Sequence, residues 1–179
     1  QQAFPAQFGQ LALEEFVHRL NLVRPDLIRV EADEVSYNLH VLIRFEHETA
    51  LINKDLRVED LPAAWNEKYR DYLDVRVDSD ANGVLQDIHW SHGSFGYFPT
   101  YTIGNLAAAQ IWATYRRFDP DVEETLRSGE LTKIKGWLTE HIYRHGSIYP
   151  PEALIRKVTG RPLEAGDFLS YLHAKFSAG

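Results

Sequence analysis

Hydrophobic residues recur at the spacing of an amphipathic α-helix along most of this chain. The first such pattern predicts a helix over Leu11–Val23, which ends at Arg24-Pro25-Asp26 because a proline disfavours helical backbone in the residue before it. A second pattern predicts a long helix from Ala32 to about Asn53. The positions that follow its helical period are Val35, Leu39, Leu42, Phe45 or Glu46, and Ala50. Between the two helices, the apolar and partly β-branched run Leu27–Val30 favours an extended segment.

The middle of the chain continues with a third helix and then with weaker signals. Asp60 is the expected N-cap of a helix over Leu61–Leu73, in which Pro62 is tolerated in the first turn. Three aromatic residues of that helix fall on roughly one face: Trp65, Tyr69 and Tyr72. Val75–Val77 predicts a short strand, and Asp78–Gly83 predicts a turn.

After this turn, Leu85 and Ile88 are expected to contact the core, and the pattern then becomes helical nearly to the end. The predicted helices run from Pro99 or Thr100 to about Phe118, and then over Asp121–Ser128, Leu131–Tyr143, Pro151–Thr159 and Gly166–Phe176. Glycines fall where helix C-terminal caps are expected, at Gly129, Gly146 and Gly160. The pattern therefore predicts a mainly α fold with at most a small β element, built as a single helical domain over residues 1–179.

Composition narrows the classes of function. Hydrophobic residues make up 44% of the 179 residues and charged residues 25%, as in a globular chain with its own core. The formal net charge of −7 argues against nucleic acid or an anionic membrane as the main partner. The chain has no cysteine, which excludes disulfides and thiolate metal ligands and favours an intracellular origin. No apolar run is long enough to span a bilayer.

The chain also has no methionine and begins Gln1-Gln2-Ala3. Translation starts with methionine, and removal of that residue normally requires a small residue next to it. Because Gln1 is not small, we expect this chain to be a fragment of a longer protein that is truncated upstream.

The stretch from Gly83 to Asn105 concentrates side chains that are able to do chemistry. Its aromatic, amide and titratable members include Gln86, Asp87, His89, Trp90, His92, Tyr97 and Tyr101. Such a mixture is typical of a lined pocket, because Tyr and His each combine an apolar body with a polar tip. The alternative is a buried aromatic loop whose polar tips are satisfied internally, and composition alone favours it.

Two spacings resemble metal motifs, and each lacks a required residue. His141 and His145 have the i, i+4 spacing of helical zinc ligands, but Ile142 stands where zinc proteases need Glu. We interpret this pair as the polar end of a helix. The segment Asp78–Gly83 copies the first half of an EF-hand loop, but His89 stands where that motif needs a bidentate Glu. We interpret the segment as a turn, with weak cation binding as the alternative.

Arg29 precedes the long second helix, and its sequence leaves two roles open. In one, Asp33 and Glu34 stabilise the helix dipole and Arg29 pairs with them. In the other, Arg29 faces a cleft and binds a carboxylate through its planar fork. Periodicity does not choose between these roles.

Six blocks, in order along nearly the whole chain, resemble the C-terminal part of the thermostable-carboxypeptidase (Taq-type) zinc metallocarboxypeptidases. They are IRVEADE (28–34), YNLHVLIRFE (37–46), DLPAAWNEKY (60–69), GVLQDIHW (83–90), GYFPTYTIGN (96–105) and IYRHGSIYPPEAL (142–154). The resemblance implies an almost wholly α-helical fold, like that of the neurolysin and angiotensin-converting-enzyme group of zinc peptidases. It also implies a cytosolic and usually homodimeric enzyme, which hydrolytically releases single residues from the free C-termini of peptides.

Members of that family hold zinc with an HExxH helix and a downstream Glu, and this sequence contains no HExxH. The resemblance therefore implies that the zinc ligands and the general base belong to an upstream segment. No metal ligand is expected in this chain, and the chain is expected to be inactive alone.

The resemblance also implies roles for individual residues. The family's IRxxAD block matches at Arg29, which implies that Arg29 binds the C-terminal carboxylate of the substrate. The GxxQDxHW block places Gln86 and Asp87 in the substrate-binding set, with Asp87 orienting a neighbouring donor. Likeness to related zinc peptidases implies that a His and a Tyr donate hydrogen bonds to the oxyanion. The catalytic residues assigned in this way are His89 and Tyr101, with Tyr97 as a substitute.

Two other functions compete with this interpretation. The chain is alternatively a non-catalytic helical fragment or a dimerisation module, and an upstream HExxH segment would favour the enzyme over it. A weaker hypothesis is a cation-binding regulatory domain that uses Asp78, Asp80 and Asn82.

Overall fold

The computed structural model describes residues 4–177, and α-helices are the main regular elements of that range. Their bounds are α1 Pro5–Phe8, α2 Leu13–Leu20, α3 Tyr37–Asn53, α4 Leu61–Leu73, α5 Pro99–Phe118, α6 Val122–Ser128, α7 Thr132–His141, α8 Pro151–Thr159 and α9 Gly166–Phe176. Short 3₁₀ turns lie at Arg29–Glu31, Val58–Asp60, Trp90–His92 and Tyr143–His145. The prediction of a mainly α protein is confirmed.

The segment before α3 differs from its prediction. Arg29–Glu31 forms a 3₁₀ turn, so the extended segment predicted over Leu27–Val30 is wrong in its second half. The helix predicted from Ala32 begins only at Tyr37. The reason is local, because the Asp33 carboxylate accepts hydrogen bonds from the backbone N–H groups of Val35 and Ser36, both at 2.9 Å. These bonds close a turn where the first helical turn was expected.

The strand predicted at Val75–Val77 is also wrong, since no strand occurs within residues 4–177. Val75 and Val77 instead pack against the buried cluster on α3 and α4. A strand needs a neighbouring strand to pair its backbone groups. Here the Val75 N–H instead donates to the carbonyl of Tyr69 in α4 at 3.3 Å.

The chain groups into two compact units, Gln1–Pro99 and Thr100–Gly179. The core of the first unit is formed by Ile43 of α3 and by Trp65, Tyr69 and Leu73 of α4. The aromatic face predicted for α4 accounts for two of these residues, and Tyr72 packs at the edge of the same cluster. The expectation of a single domain stays a prediction.

Leu85 and Ile88 do not contact this core, because each has 70% of its surface exposed. Their predicted role is therefore wrong. Val84 and Trp90 pack against the core instead. A turn at Gly83 comes just before these residues. After it, the polar side chain of Gln86 points inward and hydrogen-bonds with Leu27 and Arg44.

Helix α3 buries the face that its sequence marks as polar. His40, Arg44 and His47 are buried along it, together with Val41 and Ile43. Of the apolar positions that followed the predicted period, Leu39, Leu42 and Phe45 of α3 are exposed, as is Val35 just before it, and Ala50 is half-buried. The period correctly predicted the helix and did not predict which side faces inward.

The second unit has its own core, in which Tyr115 of α5, Val122 of α6 and Trp137 of α7 are buried. Gln110 of α5 fastens the α8–α9 connection to this unit. Its Nε2 donates to the carbonyl of Pro162 at 2.9 Å, and its Oε1 accepts the backbone N–H of Glu164 at 3.1 Å. The bounds predicted for α8 and α9 match the observed ones.

The contrast between Trp65 and Leu85 gives a stability prediction. Trp65 is 1% exposed and stacks on Tyr69, so Trp65→Ala is expected to lower the free energy of unfolding by about 3–5 kcal/mol. Leu85→Ala, the matched control at a position first expected in the core, should change it by less than about 0.5 kcal/mol. Urea unfolding followed by far-UV circular dichroism measures both. Equal losses in the two variants would contradict this account of the core.

Candidate functional site

Asp87 lies between two buried guanidinium groups in the first unit. Arg29 donates to Oδ1 from Nη2 at 2.7 Å and from Nε at 3.1 Å. Arg44 donates to Oδ2 from Nε at 2.6 Å. The three side chains are nearly or fully buried, with Asp87 the most exposed at 12%. One carboxylate therefore joins the 3₁₀ turn before α3 to α3 itself.

Arg44 is the fully buried member of this group, and its other bonds stay within the first unit. Its Nη1 donates to the carbonyl of His40 at 2.8 Å, and its Nη2 donates to Gln86 Oε1 at 2.8 Å. The guanidinium also lies over the ring of Trp65, 4.6 Å from its centroid. This contact gives the cation an aromatic face in place of water.

Gln86 connects three segments with one amide. Its Oε1 accepts the backbone N–H of Arg29 at 2.9 Å as well as the bond from Arg44. Its Nε2 donates to the carbonyls of Leu27 at 3.0 Å and Asn82 at 2.8 Å. The segment before α3 is thereby tied to the turn that precedes Gln86.

Gly83 permits that turn to approach its neighbours closely. A Cβ atom placed there would lie 2.7 Å from Val77 Cγ1 and 3.1 Å from the carbonyl oxygen of Ser79. Only glycine therefore fits without a shift, and the close packing brings Gln86 and Asp87 to the two arginines.

The arginines keep Asp87 ionised. Burial alone would raise the pKa of Asp87, but the hydrogen bonds from Arg29 and the charge of Arg44 outweigh it and hold the pKa below its ordinary value. Burial likewise opposes the charge on Arg29, whose pKa is nevertheless raised by its hydrogen bond to Asp87. A third contact, from Arg29 Nη1 to the hydroxyl of Tyr37 at 2.9 Å, also orients the guanidinium.

His40 lies behind this cluster and is neutral. Its Nδ1 is 3.0 Å from the hydroxyl of Tyr69, which itself donates to the carbonyl of Leu27 at 3.1 Å. Burial and the charges of Arg44 and Arg29 lower the pKa of His40 to about 4. The proton of Tyr69 is directed at Leu27, so His40 is assigned as the donor from Nδ1.

His89 and Tyr97 lie beside the cluster. His89 Nδ1 is 3.8 Å from Asp87 Oδ1, which is an electrostatic contact longer than a hydrogen bond. The His89 ring packs on Phe98 with centroids 4.4 Å apart, and on Tyr97 at 5.7 Å. Burial and the charge of Arg29 lower the pKa of His89 although Asp87 opposes this shift. Tyr97 is 49% exposed.

The first unit therefore brings together five of the six residues singled out from the sequence: Arg29, Gln86, Asp87, His89 and Tyr97. The sixth, Tyr101, is half-buried in the first turn of α5 and belongs to the second unit. The roles of all six stay predictions.

Arg29 binds the carboxylate of Asp87, which was not considered as its partner in either of the two roles proposed from the sequence. Its partner Asp87 is 58 residues further along the chain. Asp33, the partner first considered, accepts backbone N–H groups of Val35, Ser36 and Arg24. The bidentate fork expected for Arg29 is present, and within the chain it binds Asp87.

Sequence reasoning missed Arg44, His40 and Tyr69 as members of this cluster. A signal was available in α3, where His40, Arg44 and Glu48 recur at i, i+4 spacing on one face of the helix. All three are buried, and Glu48 Oε1 accepts the indole N–H of Trp90 at 2.8 Å. A polar stripe of this kind in an apolar helix indicates buried hydrogen-bonding partners.

The described residues contain no group of three or more His, Cys, Asp or Glu side chains arranged to hold a metal ion. His141 is the last residue of α7 and packs on Trp137, with ring centroids 4.7 Å apart. The carboxylate of Asp78 accepts the amide of Asn82 at 3.0 Å and so closes a turn. Among residues 4–177 there is also no helix with the length and apolar character that a bilayer crossing requires.

Known proteins resemble this chain over nearly its whole length. A sequence profile of the family described as "Carboxypeptidase Taq (M32) metallopeptidase" matches residues 1–176. Carboxypeptidase 1 of Bacillus subtilis is 44% identical over 177 residues, which is 99% of this chain and 35% of that protein. Thermostable carboxypeptidase 1 of Thermus thermophilus is 47% identical over 173 residues, 97% of this chain and 34% of that protein.

Solved structures of carboxypeptidases also superpose closely on this chain. The M32 carboxypeptidase of Deinococcus radiodurans R1 superposes with a TM-score of 0.94 at 41% identity, covering 98% of this chain and 36% of that one. Metallocarboxypeptidase 1 of Trypanosoma cruzi gives a TM-score of 0.91 at 36% identity, covering 98% and 38%. This chain spans about a third of the length of the relatives it matches.

The lowered pKa of His40 gives a prediction for stability against pH. In the unfolded chain His40 takes up a proton near its ordinary pKa of 6.5, whereas in the folded chain it does so only near 4. Acidification from pH 6.5 to 4 therefore favours the unfolded state, so the free energy of unfolding should fall over that window. His47, whose pKa is also lowered by burial, acts in the same direction.

The His40→Gln variant should reduce this slope by at most about 1.4 kcal/mol per pH unit, as measured by urea unfolding at about pH 6.5, 5.5 and 4.5. The exposed His173→Gln is the matched control and should keep the slope of the parent chain. An unchanged slope in His40→Gln would contradict the assignment of His40 as buried and neutral.

Proposed function

The chain belongs to the carboxypeptidase Taq (M32) metallopeptidase family, and we propose that it is the substrate-binding, C-terminal portion of a zinc metallocarboxypeptidase. The parent enzyme hydrolyses peptides at a free C-terminus and releases single amino acids. The observation that carries this proposal is the buried, preorganised guanidinium of Arg29, held by Asp87 and Tyr37.

Arg29 is proposed to recognise the C-terminal carboxylate of the peptide. A guanidinium suits a planar carboxylate because its N–H groups form a rigid fork. Its orientation is already fixed by neighbouring side chains, so little conformational freedom remains to be lost on binding. In this proposal Gln86 and Asp87 contribute to substrate binding by holding Arg29 in place. Gln86 accepts the backbone N–H of Arg29, and Asp87 accepts hydrogen bonds from its guanidinium.

His89 and Tyr101 are proposed to donate hydrogen bonds to the oxygen of the scissile carbonyl as negative charge develops on it, with Tyr97 as a substitute. The lowered pKa of His89 is consistent with this role, because a neutral imidazole still keeps one N–H as a hydrogen-bond donor. Phe98 and Tyr97 pack on its ring and fix its plane.

The zinc ion and the general base are proposed to belong to the part of the parent enzyme outside this chain. Support comes from the donor set, since the described residues offer no cluster of three or more ligating side chains. Within this chain the proposed tasks are binding the substrate carboxylate and donating hydrogen bonds.

An upstream catalytic segment is the proposed partner of this chain within the parent, in a fold resembling the neurolysin and angiotensin-converting-enzyme group. The exposed apolar face of α3 supports this partner, because Leu39, Leu42, Phe45 and Ile52 form one helical stripe on it. The parent is further proposed to be a cytoplasmic homodimer.

A second candidate is a non-catalytic helical fragment or dimerisation module. The same exposed stripe on α3 favours it, since two copies of an apolar helical face can cover each other. The two functions differ in whether a longer polypeptide carries HExxH, and the intact mass of the native protein decides between them.

Replacing Arg29 tests carboxylate recognition in the full-length enzyme. Arg29→Ala should lower kcat/KM for an N-blocked peptide with a free C-terminus by about 10- to 100-fold, mainly through KM, because the proposed charge-assisted hydrogen bond to the substrate carboxylate is lost. The effect on the C-terminal amide of the same peptide should be small. Arg24→Ala is the matched control, since the Arg24 side chain is 75% exposed. Equal losses for acid and amide would refute the proposed contact.

The isolated 179-residue chain is expected to show no peptidase activity, with or without added zinc, because its proposed groups only assist a metal held elsewhere. Release of free C-terminal residues from an N-blocked dipeptide, followed by mass spectrometry, measures this. Hydrolysis that persists through repurification and scales with this chain alone would overturn the division of roles.

A further inference from the structure

We propose that Arg44 is a positioning residue for recognition of the substrate carboxylate, which it controls by holding Asp87 and Gln86 against Arg29. The inference rests on the proposed function of Arg29 and goes beyond it. Arg44 is 0% exposed, whereas Arg29 keeps 5% of its surface exposed, so Arg44 is assigned to act through Asp87 and Gln86 and not by contact with substrate.

The first path runs through the Asp87 carboxylate. Its Oδ1 is held by Arg29 Nη2 at 2.7 Å, and its Oδ2 is held by Arg44 Nε at 2.6 Å. Without Arg44, the strongest remaining bond to Oδ2 is the 3.2 Å contact from Arg29 Nε. The Asp87 carboxylate would then be held only by Arg29 and would no longer fix the orientation of the Arg29 guanidinium.

The second path runs through the Gln86 amide. Arg44 Nη2 donates to Gln86 Oε1 at 2.8 Å, and the same oxygen accepts the backbone N–H of Arg29 at 2.9 Å. Arg44 therefore acts on both ends of Arg29, its main chain through Gln86 and its guanidinium through Asp87.

Arg44 is suited to be the fixed point of this arrangement. It lies on the inner face of α3, and its Nη1 donates to the His40 carbonyl one turn earlier in the same helix. The ring of Trp65 covers its guanidinium, and the Tyr69 hydroxyl lies 3.3 Å from Nη2. These contacts come from the core of the unit, so they transmit the rigidity of the core to the cluster.

The charge of Arg44 also sets the electrostatics of the cluster. Arg29, Arg44 and Asp87 together carry two positive charges and one negative charge. Asp87 divides its charge between two guanidiniums, so an incoming carboxylate meets a net cation instead of a neutral ion pair. Removing Arg44 would let Asp87 neutralise Arg29 alone and repel the substrate carboxylate.

The test compares an N-blocked peptide acid with its C-terminal amide as substrates of the full-length metallocarboxypeptidase. Arg44→Gln should lower the ratio of kcat/KM for acid over amide by about tenfold, mainly by raising KM for the acid. Arg44→Lys keeps the charge without the fork, and should recover part of that ratio. Thermal unfolding of each variant establishes that it is folded at the assay temperature.

Ile43→Ala is the matched control for structural damage. Ile43 is the neighbouring residue of α3, is 0% exposed and belongs to the core cluster. It should lower thermal stability and leave the acid-over-amide ratio unchanged. If Arg44→Gln fails to fold, Arg44→Lys provides the same readout and should still lower the ratio, because it loses the fork that holds Asp87 and Gln86.

An unchanged ratio in the folded Arg44 variants, or an equal fall in Ile43→Ala, would overturn the inference. Arg29→Ala separates this failure from failure of the proposed function. If Arg29→Ala leaves the ratio unchanged, Arg29 does not recognise the carboxylate. If Arg29→Ala removes the preference for the acid over the amide while the Arg44 variants keep that preference, only the positioning role is wrong.

Discussion

The shared carboxylate of Asp87 is the interaction on which the first unit depends. Two buried guanidiniums are costly to desolvate, and they are tolerated only if their charges and hydrogen-bonding groups are satisfied. Asp87 meets that requirement for Arg29 and Arg44 together. The tight turn at Gly83 lies just before Gln86 and Asp87, the amide of Gln86 binds Arg44, and the ring of Trp65 covers the Arg44 guanidinium.

This requirement explains the unusual orientation of α3. The helix has an apolar stripe and a polar stripe, and in this chain it is the polar one that is buried. Burial of that stripe places Arg44 in the core and leaves Leu39, Leu42 and Phe45 exposed. The two faces of α3 thus differ, since the inner face holds the arginine cluster and the outer face leaves an apolar surface exposed.

Helix positions were largely predictable from sequence because their signals are local. Proline at the start of α8 and glycine after its end fix its bounds, and the periodicity of α4 fixes its aromatic face. The start of α3 was misplaced because a side-chain turn at Asp33 competes with the helix. The inward side of α3 and the exposure of Leu85 depend on contacts distant in sequence, which no local pattern contains.

The members of the candidate site also differ in how far the sequence alone could identify them. Arg29, Gln86, Asp87 and His89 were singled out because the resemblance of their blocks implied roles for them. Arg44 also lies in a matching block, residues 37–46, but that block implied no role and was interpreted only as part of a helix. The role of Arg44 is visible only through partners that follow it by 42 and 43 residues, Gln86 and Asp87. A buried charge is costly without such partners, so an arginine inside an apolar helix is itself a reason to search for a carboxylate elsewhere in the chain. In this protein that search leads from Arg44 to Asp87, and from Asp87 to the guanidinium proposed to bind substrate.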